Sequence, residues 1–533
     1  MKTLQSDLAA DLVPAGQDDL ESHAGAPHRF PRPSHIADGR RRSATSALTT
    51  SGSGARGAAI FCAGLLWVAS AWAMIAADWP QWRGPNRDGT SAEVIGFSAW
   101  PAEGPSRLWA AAVGTGFSSL AVSQGRVFTL GNANETDTVF CLSADTGKVL
   151  WSHSYACALD PNLHEGGPSA TPAVEGERVY TLSKFGHLFC FDATTGTVQW
   201  RTNLIEDLGI LKPEWGFAGS PFIAGDKLLL NAGGHGLALD KLTGAVVWLS
   251  NTSRAGYSSP VPYEHDGVPA IVMFSQRRVV GAAVEDGRLL WSHAWGTQYD
   301  MNIADILLFN GDFFITSFNR SAALLNVLGS SSALVWQKRN LSTILSPGVL
   351  LGQHLYAFHD DSDTPAEGEL RCLDLTTGDL AWSKPMWTGS LISADNKLII
   401  LAGNGELILA EVNPSAYVEL ARARALEGRC WTPPALADGR LYCRNAGDDV
   451  VALALAAAPA PPPELHVART SGPDRLRLAW PRAASGFRLE ATDRLTASTT
   501  WAEVSIVPIV EGEQHVVQIE PLLGQQLYRL RKP

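Results

Sequence analysis

The chain is poor in charge, in cysteine and in recognisable catalytic phrases. Only 18% of its 533 residues are charged, and 42 Lys+Arg stand against 53 Asp+Glu, a net charge of -11. A nucleic-acid surface needs clustered positive charge to displace counterions from phosphates, so that class of partner is excluded. Cys62, Cys141, Cys157, Cys190, Cys372, Cys430 and Cys443 include no adjacent pair, and no C-x-x-C-H haem-attachment phrase occurs. G-x-S-x-G, H-E-x-x-H and Walker A phrases are also missing, which leaves hydrolase, zinc-protease and nucleotide-binding readings without a motif. Asp360, Asp361 and Asp363 offer oxygen ligands, but their segment lacks the glycine and distal glutamate of a Ca²⁺ loop, so no metal site is expected.

What is plentiful points elsewhere. A hydrophobic fraction of 45% suffices for a large core, while 50 Gly, 31 Pro and 18 Trp imply many turns and a repeated use of Trp. That pattern leans all-β. At about 150 residues per domain the length suggests three or four domains, unless repeats merge them.

Residues 1–57 are polar, rich in Ser, Gly and Arg and without apolar periodicity, and read as a disordered N-terminal region. From Ala58 to Ala77 run twenty residues without a charge, preceded by Arg40, Arg41, Arg42 and Arg56. A positive flank, an apolar run and small residues at its end (Ala71 and Ala73, or Ala76 and Ala77) predict export by a signal peptide. The run is also long enough for an uncleaved inner-membrane anchor. The protein is therefore expected in the periplasm or outside the cell, touching a membrane only if this segment is kept.

One phrase recurs: two short apolar strands, a tight turn, and a strand ending in Trp. It is clearest in Cys190 to Trp200, Ala238 to Trp248 and Cys372 to Trp382, which share Asp192, Asp240 and Asp374, then Thr-Gly at Gly196, Gly244 and Gly378. The stretches Cys141 to Trp151, with Gly147, and Gly281 to Trp291 keep the frame, and Leu324 to Trp336 is longer by two. A small residue at the first position permits close packing, the Asp bonds local backbone N–H groups, and Gly takes the positive φ of the hairpin. Each buried indole removes about 150–250 Å² from water, worth about 4–6 kcal/mol as an upper bound. Trp109, Trp151, Trp200, Trp248, Trp291, Trp336 and Trp382 recur about every 45 residues, the length of a four-stranded propeller blade rather than a helical repeat.

Eight hairpins can be counted, several opening on Ser-Pro or Thr-Pro: Thr171-Pro172, Ser220-Pro221, Ser259-Pro260, Ser346-Pro347 and Thr432-Pro433. The last repeat has Pro462 where its Trp belongs, whereas Trp109 stands on a strand with no hairpin before it. The N-terminal strand is therefore expected to complete the final blade, closing an eight-bladed β-propeller over 107–455 and hiding its edges. Seven blades are the alternative, because Glu419 stands where the seventh repeat should carry Trp.

The phrase A-x-D-x-x-T-G-x-x-x-W resembles the repeat of PQQ-like, or quinoprotein alcohol dehydrogenase-like, β-propellers, and the resemblance covers most of residues 107–455. Upstream, Asp78-Trp79-Pro80-Gln81-Trp82-Arg83-Gly84-Pro85 resembles the leader of exported repeat proteins of this type, and 78–106 is expected to be a strap over the propeller. Quinoprotein dehydrogenases of this resemblance carry an adjacent-cysteine disulfide, a Ca²⁺ held by carboxylates and Asn, and a catalytic Asp. The adjacent pair is missing here. Cys141, Cys190 and Cys372 sit at the small-residue position and are expected to be packing groups, and Cys430 and Cys443 flank a hairpin without being placed opposite one another.

After a stiff Pro-rich linker at 456–463, residues 464–533 alternate as strands do and are similar to fibronectin-III-like modules, so a small β-sandwich for attachment or spacing is expected.

Connecting loops of a propeller converge on its channel, which nominates His164, Glu165, Lys184, Trp215, Arg254, Tyr257, Trp431 and Arg444 as ligand-binding residues. Gln298, Tyr299, Asp300, His359, Asp360, Asp361 and Asn445 fall in similar loops. Arg on carboxylates and Trp on a ring suit a flat anionic ligand, and solvated loop tips are the plainer reading. The resulting expectation is an exported, monomeric, non-catalytic scaffold that takes an envelope protein or a small anionic ligand in its channel. The alternatives are a divergent oxidoreductase that binds PQQ with Ca²⁺ and acts on alcohols or sugars, and a carbohydrate- or peptide-binding module.

Overall fold

The computed structural model describes residues 78–533 apart from 96–98, 362–364, 456–464 and short stretches near the C-terminus (470–474, 482–487, 494–500, 505, 507, 513, 520–526 and 532–533). The polar region 1–57, the apolar segment 58–77 and the linker 456–463 lie outside the described residues.

Eight sheets, each with four antiparallel strands, follow one another among the described residues: 121–156, 173–203, 222–249, 261–294, 307–338, 349–385, 390–424, which Thr90–Ser91 extends by a fifth, parallel strand, and a last one made of 435–454 with Arg107–Ala112. They are numbered here sheets 1 to 8. In sheets 1 to 7 spatial order is chain order, and first strands touch first strands, that of sheet 1 meeting those of sheets 2 and 8. First strands therefore line a central axis and fourth strands form the rim. The fold is an all-β propeller. Sheet 8 is assembled from both ends of the ring, with Arg107–Ala112 antiparallel to Asp449–Ala454 and Trp109 opposite Ala452.

Cohesion between sheets follows from the repeated phrase. Trp109, Trp151, Trp200 and Trp336 lie on Gly147, Gly196, Gly244 and Gly378 of the next sheet's outer turn, where a Cβ would sit 2.5–2.7 Å from the indole. Trp248 lies on Gly287 in the same way. These glycines also hold φ between 68° and 74°, so two independent constraints exclude a side chain. The indole N–H of Trp109, Trp151, Trp200, Trp248, Trp336 and Trp382 donates across the interface to Ala144, Ala193, Lys241, Val284, Leu375 and Asn413 carbonyls at 2.9–3.0 Å. Asp192 shapes the turn by accepting from Thr194 N, Thr195 N and Thr195 Oγ1, and those bonds hold its carboxyl below the usual range. Asp240 repeats the arrangement with Leu242 and Thr243, and Asp374 accepts from Thr376 N.

All eight outer strands skip one residue just before the docking position: Leu108, Leu150, Gln199, Val247, Leu290, Val335, Ala381 and Leu420. The bulge sharpens the local twist and turns the following side chain toward the neighbouring sheet. The pairing also corrects the reading of sheet 7, whose outer turn is two residues longer than that between Cys190 and Trp200. The residue in Trp register there is Ala421, opposite Leu409, and not Glu419, which pairs with Ala410. Residues 390–424 form a four-stranded sheet without a docking Trp, and the reason lies next door: sheet 8 receives its outer strand from the N-terminal side, so it has no outer turn for an indole to cover. Trp100, which precedes that strand, is instead buried in the cluster that joins sheets 7, 8 and 1, with Leu420 and Ala421 packed against the same cluster. Trp291 departs differently, lying on Gly281 of its own sheet and donating to Tyr263 Oη at 2.7 Å.

Near the C-terminus a four-stranded sheet (His466–Arg469, Leu476–Pro481, Gln514–Ile519, Ile509–Glu511) and a three-stranded sheet (Ala502–Glu503, Arg488–Thr492, Leu527–Arg531) share one core of Leu478, Trp480, Leu489, Val517 and Ile519. Two sheets on one core make a small sandwich.

Candidate functional site

Antiparallel order gives the channel two unlike ends. At one end lie the hairpins joining first to second and third to fourth strands. At the other lie the loops that join second to third strands and one sheet to the next.

The hairpin end is filled by the chain itself. Asp78 accepts from Ser123 Oγ and Gln124 N at the first hairpin, and Trp79 exchanges two 2.8 Å backbone bonds with Val122. Pro80 O accepts from Val174 N, Arg87 donates to Pro260 O and covers the Phe222 ring, and Trp82 Nε1 donates to Asp305 Oδ2 at 2.6 Å. Arg83 reaches Ser346 Oγ, Thr90–Ser91 runs parallel to Ser390–Ala394, and Glu93 leaves by accepting from Asp438 N and Gly439 N. Each of the eight sheets is met once along this path. The segment is a plug seated in the channel, where a strap laid over the ring was expected. Burial pushes the Arg87 guanidinium down to about 10 against the pull of Asp305.

The Ser-Pro and Thr-Pro openings, which enter the first strands from the loop side, meet the inner tip of this segment. Thr171 N donates to Ser220 Oγ, Ser220 N to Ser259 Oγ, and Ser259 N to Asp305 Oδ1, at 2.9, 3.1 and 2.7 Å. Asp305 continues a relay of hydroxyls and adds the one charge that meets Trp82.

The loop end gathers most of the nominated residues. His164 packs against Trp215 at 6.0 Å between ring centres and edge-on to Phe117 at 5.4 Å, and Phe117 stacks on Trp431 at 5.6 Å. All four rings are half-buried. Arg429 lies 4.3 Å over the Trp431 ring and pairs with Glu165 at 2.9 Å. Lys184 is almost wholly buried and is held by Asp160, which also takes Lys212. Gly216 admits this lysine, since a Cβ there would collide with its side chain. Gly166 N donates to His164 Nδ1 at 3.0 Å, and burial, then the Lys184 charge, lowers the imidazole pKa, so the ring is neutral near pH 7. Tyr257 Oη accepts from Trp215 N, and burial pushes its hydroxyl up to about 12. Arg254 is exposed, its charge felt at Tyr257.

Arg444 is no ligand-binding residue. It is fully buried, with its guanidinium donating to the carbonyls of Ser118, Leu130, Gly114 and Asn445 and to Thr129 Oγ1. It staples sheet 8 to sheet 1 across the ring closure. Asn445 is similarly spent on Glu427 O and Asp449. Asp300 accepts from Arg277 and Gln276, and His359 accepts from Ser342 N and pairs with Asp361. Asp363 lies outside the described residues. Phe117, Arg429 and Asp305 were not nominated from sequence. Phe117 and Arg429 reach the site from opposite ends of the ring, and no local motif marks either.

The donor set does not fit PQQ with Ca²⁺. Among the described residues no three His, Cys, Asp or Glu side chains are placed to hold a metal ion. Arg444, Lys184 and Arg429 are already neutralised or saturated by the chain, which leaves the exposed Arg254 as a loop cation without such a partner. Cys430 and Cys443 are both buried free thiols.

A family model described as outer membrane protein assembly factor BamB matches residues 135–384. The chain is 24% identical over 264 residues to outer membrane protein assembly factor BamB of Moranella endobia, covering 44% of this chain and 62% of that protein. It is 25% identical over 360 residues to the protein of the same name from Escherichia coli K12, covering 63% and 86%. Thus the match spans somewhat under two thirds of the first of these relatives. Among solved structures it is similar to the quinohemoprotein alcohol dehydrogenase of Comamonas testosteroni, with a TM-score of 0.53 at 14% identity over 75% of this chain and 83% of the other. At that identity the likeness speaks to fold alone. The chain is thus similar over residues 135–384 to a repeat family described for outer membrane protein assembly factor BamB, and it shares the fold of PQQ-like β-propellers.

Proposed function

We propose that the protein is an exported, non-catalytic binding scaffold of the cell envelope, and that an envelope protein docks on the loop end of its channel. The observation that carries this reading is the half-buried group Phe117, His164, Trp215 and Trp431 at the end the plug leaves free. Aromatic rings flanked by an ion-paired arginine are the composition of protein-binding hot spots. Two further points support a protein partner over a small anion. Lys184 and Arg429 already have carboxylate partners, so a carboxylate ligand would have to displace Asp160 or Glu165. The relatives at 24–25% identity are named for outer membrane protein assembly. A monomer anchored or spaced by the C-terminal sandwich completes the reading.

The test is retention of partners from envelope extracts by the wild type and by W215A/W431A, with far-UV circular dichroism of both. A saturable partner of the wild type, lost at least tenfold by the folded double variant, is the expected result. Equal retention by both proteins, or dye reduction with alcohols after addition of PQQ and Ca²⁺, would overturn it.

A further inference from the structure

We propose that the rim cavity between sheets 7 and 8 is a binding site for a free α-amino acid with a ring-bearing apolar side chain. This seam has no indole in docking register, and its outer strand stays small beyond that register too. Two residues past the docking position, where sheets 1, 4 and 6 carry His153, His293 and Lys384, sheet 7 carries Ala423, opposite Leu407. Trp100 is buried in the cluster that joins these sheets, but it does not line the cavity of about 210 Å³ that remains. The apolar walls are Leu407 and Ala423 of sheet 7 and Leu453 of sheet 8, and the lead-in chain 103–107 closes one side. Gly104 lets that chain lie on the outer strand, since a Cβ there would sit 2.6 Å from the Ala423 Cβ. An apolar cavity of about 150 Å³ suffices for a benzene ring, so this one admits a phenyl side chain.

The charged lining sets the rest of the ligand. Arg107 and Arg424 stand on the outer strands of sheets 8 and 7, Glu103 stands on the lead-in chain, and all three are exposed. Arg107 spends Nη2 on Ala425 O at 3.1 Å, which ties the two sheets together and leaves its other N–H groups for a carboxylate. Arg424 donates to Asn404 O and has Glu427 at 3.8 Å, so its charge is partly answered within the chain. What remains is one arginine and one acid, Arg107 and Glu103. A zwitterion meets both, with its carboxylate on Arg107, its ammonium on Glu103 and its ring against Leu407, Ala423 and Leu453. A simple aromatic acid would bring like charge to Glu103, and an aromatic amine would bring it to the arginines. The cavity shares no lining residue with the loop-end rings, so it stands whether or not a protein docks on them.

The test is calorimetric titration of the full chain with L-phenylalanine, phenylacetate and phenethylamine. L-Phenylalanine is expected to bind saturably, at one per chain, with a millimolar or lower dissociation constant and about tenfold tighter than either singly charged probe. Glu103→Gln should reverse the order of L-phenylalanine and phenylacetate, a change that a merely structural role would not produce. Arg107→Ala should weaken L-phenylalanine about tenfold. Ala423→Phe, which fills the cavity, should abolish binding of all three probes. If that variant does not fold, the two exposed charge variants carry the test. No saturable binding of L-phenylalanine to the wild type, equal binding of the three probes, or an order left unchanged in folded Glu103→Gln overturns the proposal.

Discussion

The two ends of one channel use their polar and aromatic side chains in opposite ways. At the hairpin end the rings and cations are consumed by the fold: Trp79 is 2% exposed, Arg83 is 4% exposed, and the outer-turn glycines lie under docked indoles. At the loop end Phe117, His164, Trp215 and Trp431 keep part of their faces open although they pack on one another. Identical residue types thus serve cohesion at one end and stay partly open at the other, where the proposed function places recognition, and what separates them is whether a backbone segment covers them. A substitution at the hairpin end should cost stability, and one among the loop-end rings should cost binding.

The largest effect is expected where an outer-turn glycine is replaced. Gly196→Val must force a positive φ and push into the Trp151 ring, and should destabilise by about 3–5 kcal/mol, read as the urea midpoint. Arg444→Ala breaks the loop-end side of the comparison in an instructive way, because this residue was nominated as a binder and is a staple. Removing it leaves several buried carbonyls unpaired across the closure seam, so a loss of about 3 kcal/mol is expected, with partner retention per folded molecule unchanged.

A smaller effect is tied to pH. Asp137 is buried beside Asn132, Cys157, Tyr155 and Lys184, and burial raises its carboxyl to about 6 against the bond from Asn132. Since the folded value lies above the unfolded one, the protonated acid favours the fold at low pH, and that contribution is lost as pH rises through about 6. Asp137→Asn should therefore gain about 2 kcal/mol over the wild type at pH 7.5, and the gain should shrink toward pH 4. Thermal melts of both proteins across that range check it. Trp431→Ala comes last: a half-exposed ring should cost about 1 kcal/mol or less in stability while reducing partner retention, which sharpens the contrast with Gly196.

Much of this architecture was legible because it is written locally and repeatedly. Thr195-Gly196 followed by Trp200 is one covalent stretch whose turn, strand and docking group keep fixed spacing, and Trp109 without a hairpin of its own implied a closing strand. The bulge was not legible, since Leu420 looks like any strand residue. Nor was the outer turn of sheet 7, which is two residues longer than that between Cys190 and Trp200 and moves the docking position from Glu419 to Ala421. Neither was the plug, because Trp82 and Asp305 are 223 residues apart and nothing near either names the other. Of the nominated site, His164, Glu165, Trp215, Tyr257 and Trp431 lie together with Lys184 nearby. Arg444 failed because an arginine that feeds carbonyls and one that feeds a ligand have the same appearance in a sequence.

The asymmetry between the ends is tested most directly by photo-crosslinking in envelope extracts, with a benzophenone side chain placed at Phe117 in one protein and at Gln124, on the hairpin end, in another. A discrete, saturable crosslinked species from position 117 and none from 124 is the predicted result. A partner captured from 124 and not from 117 would contradict it.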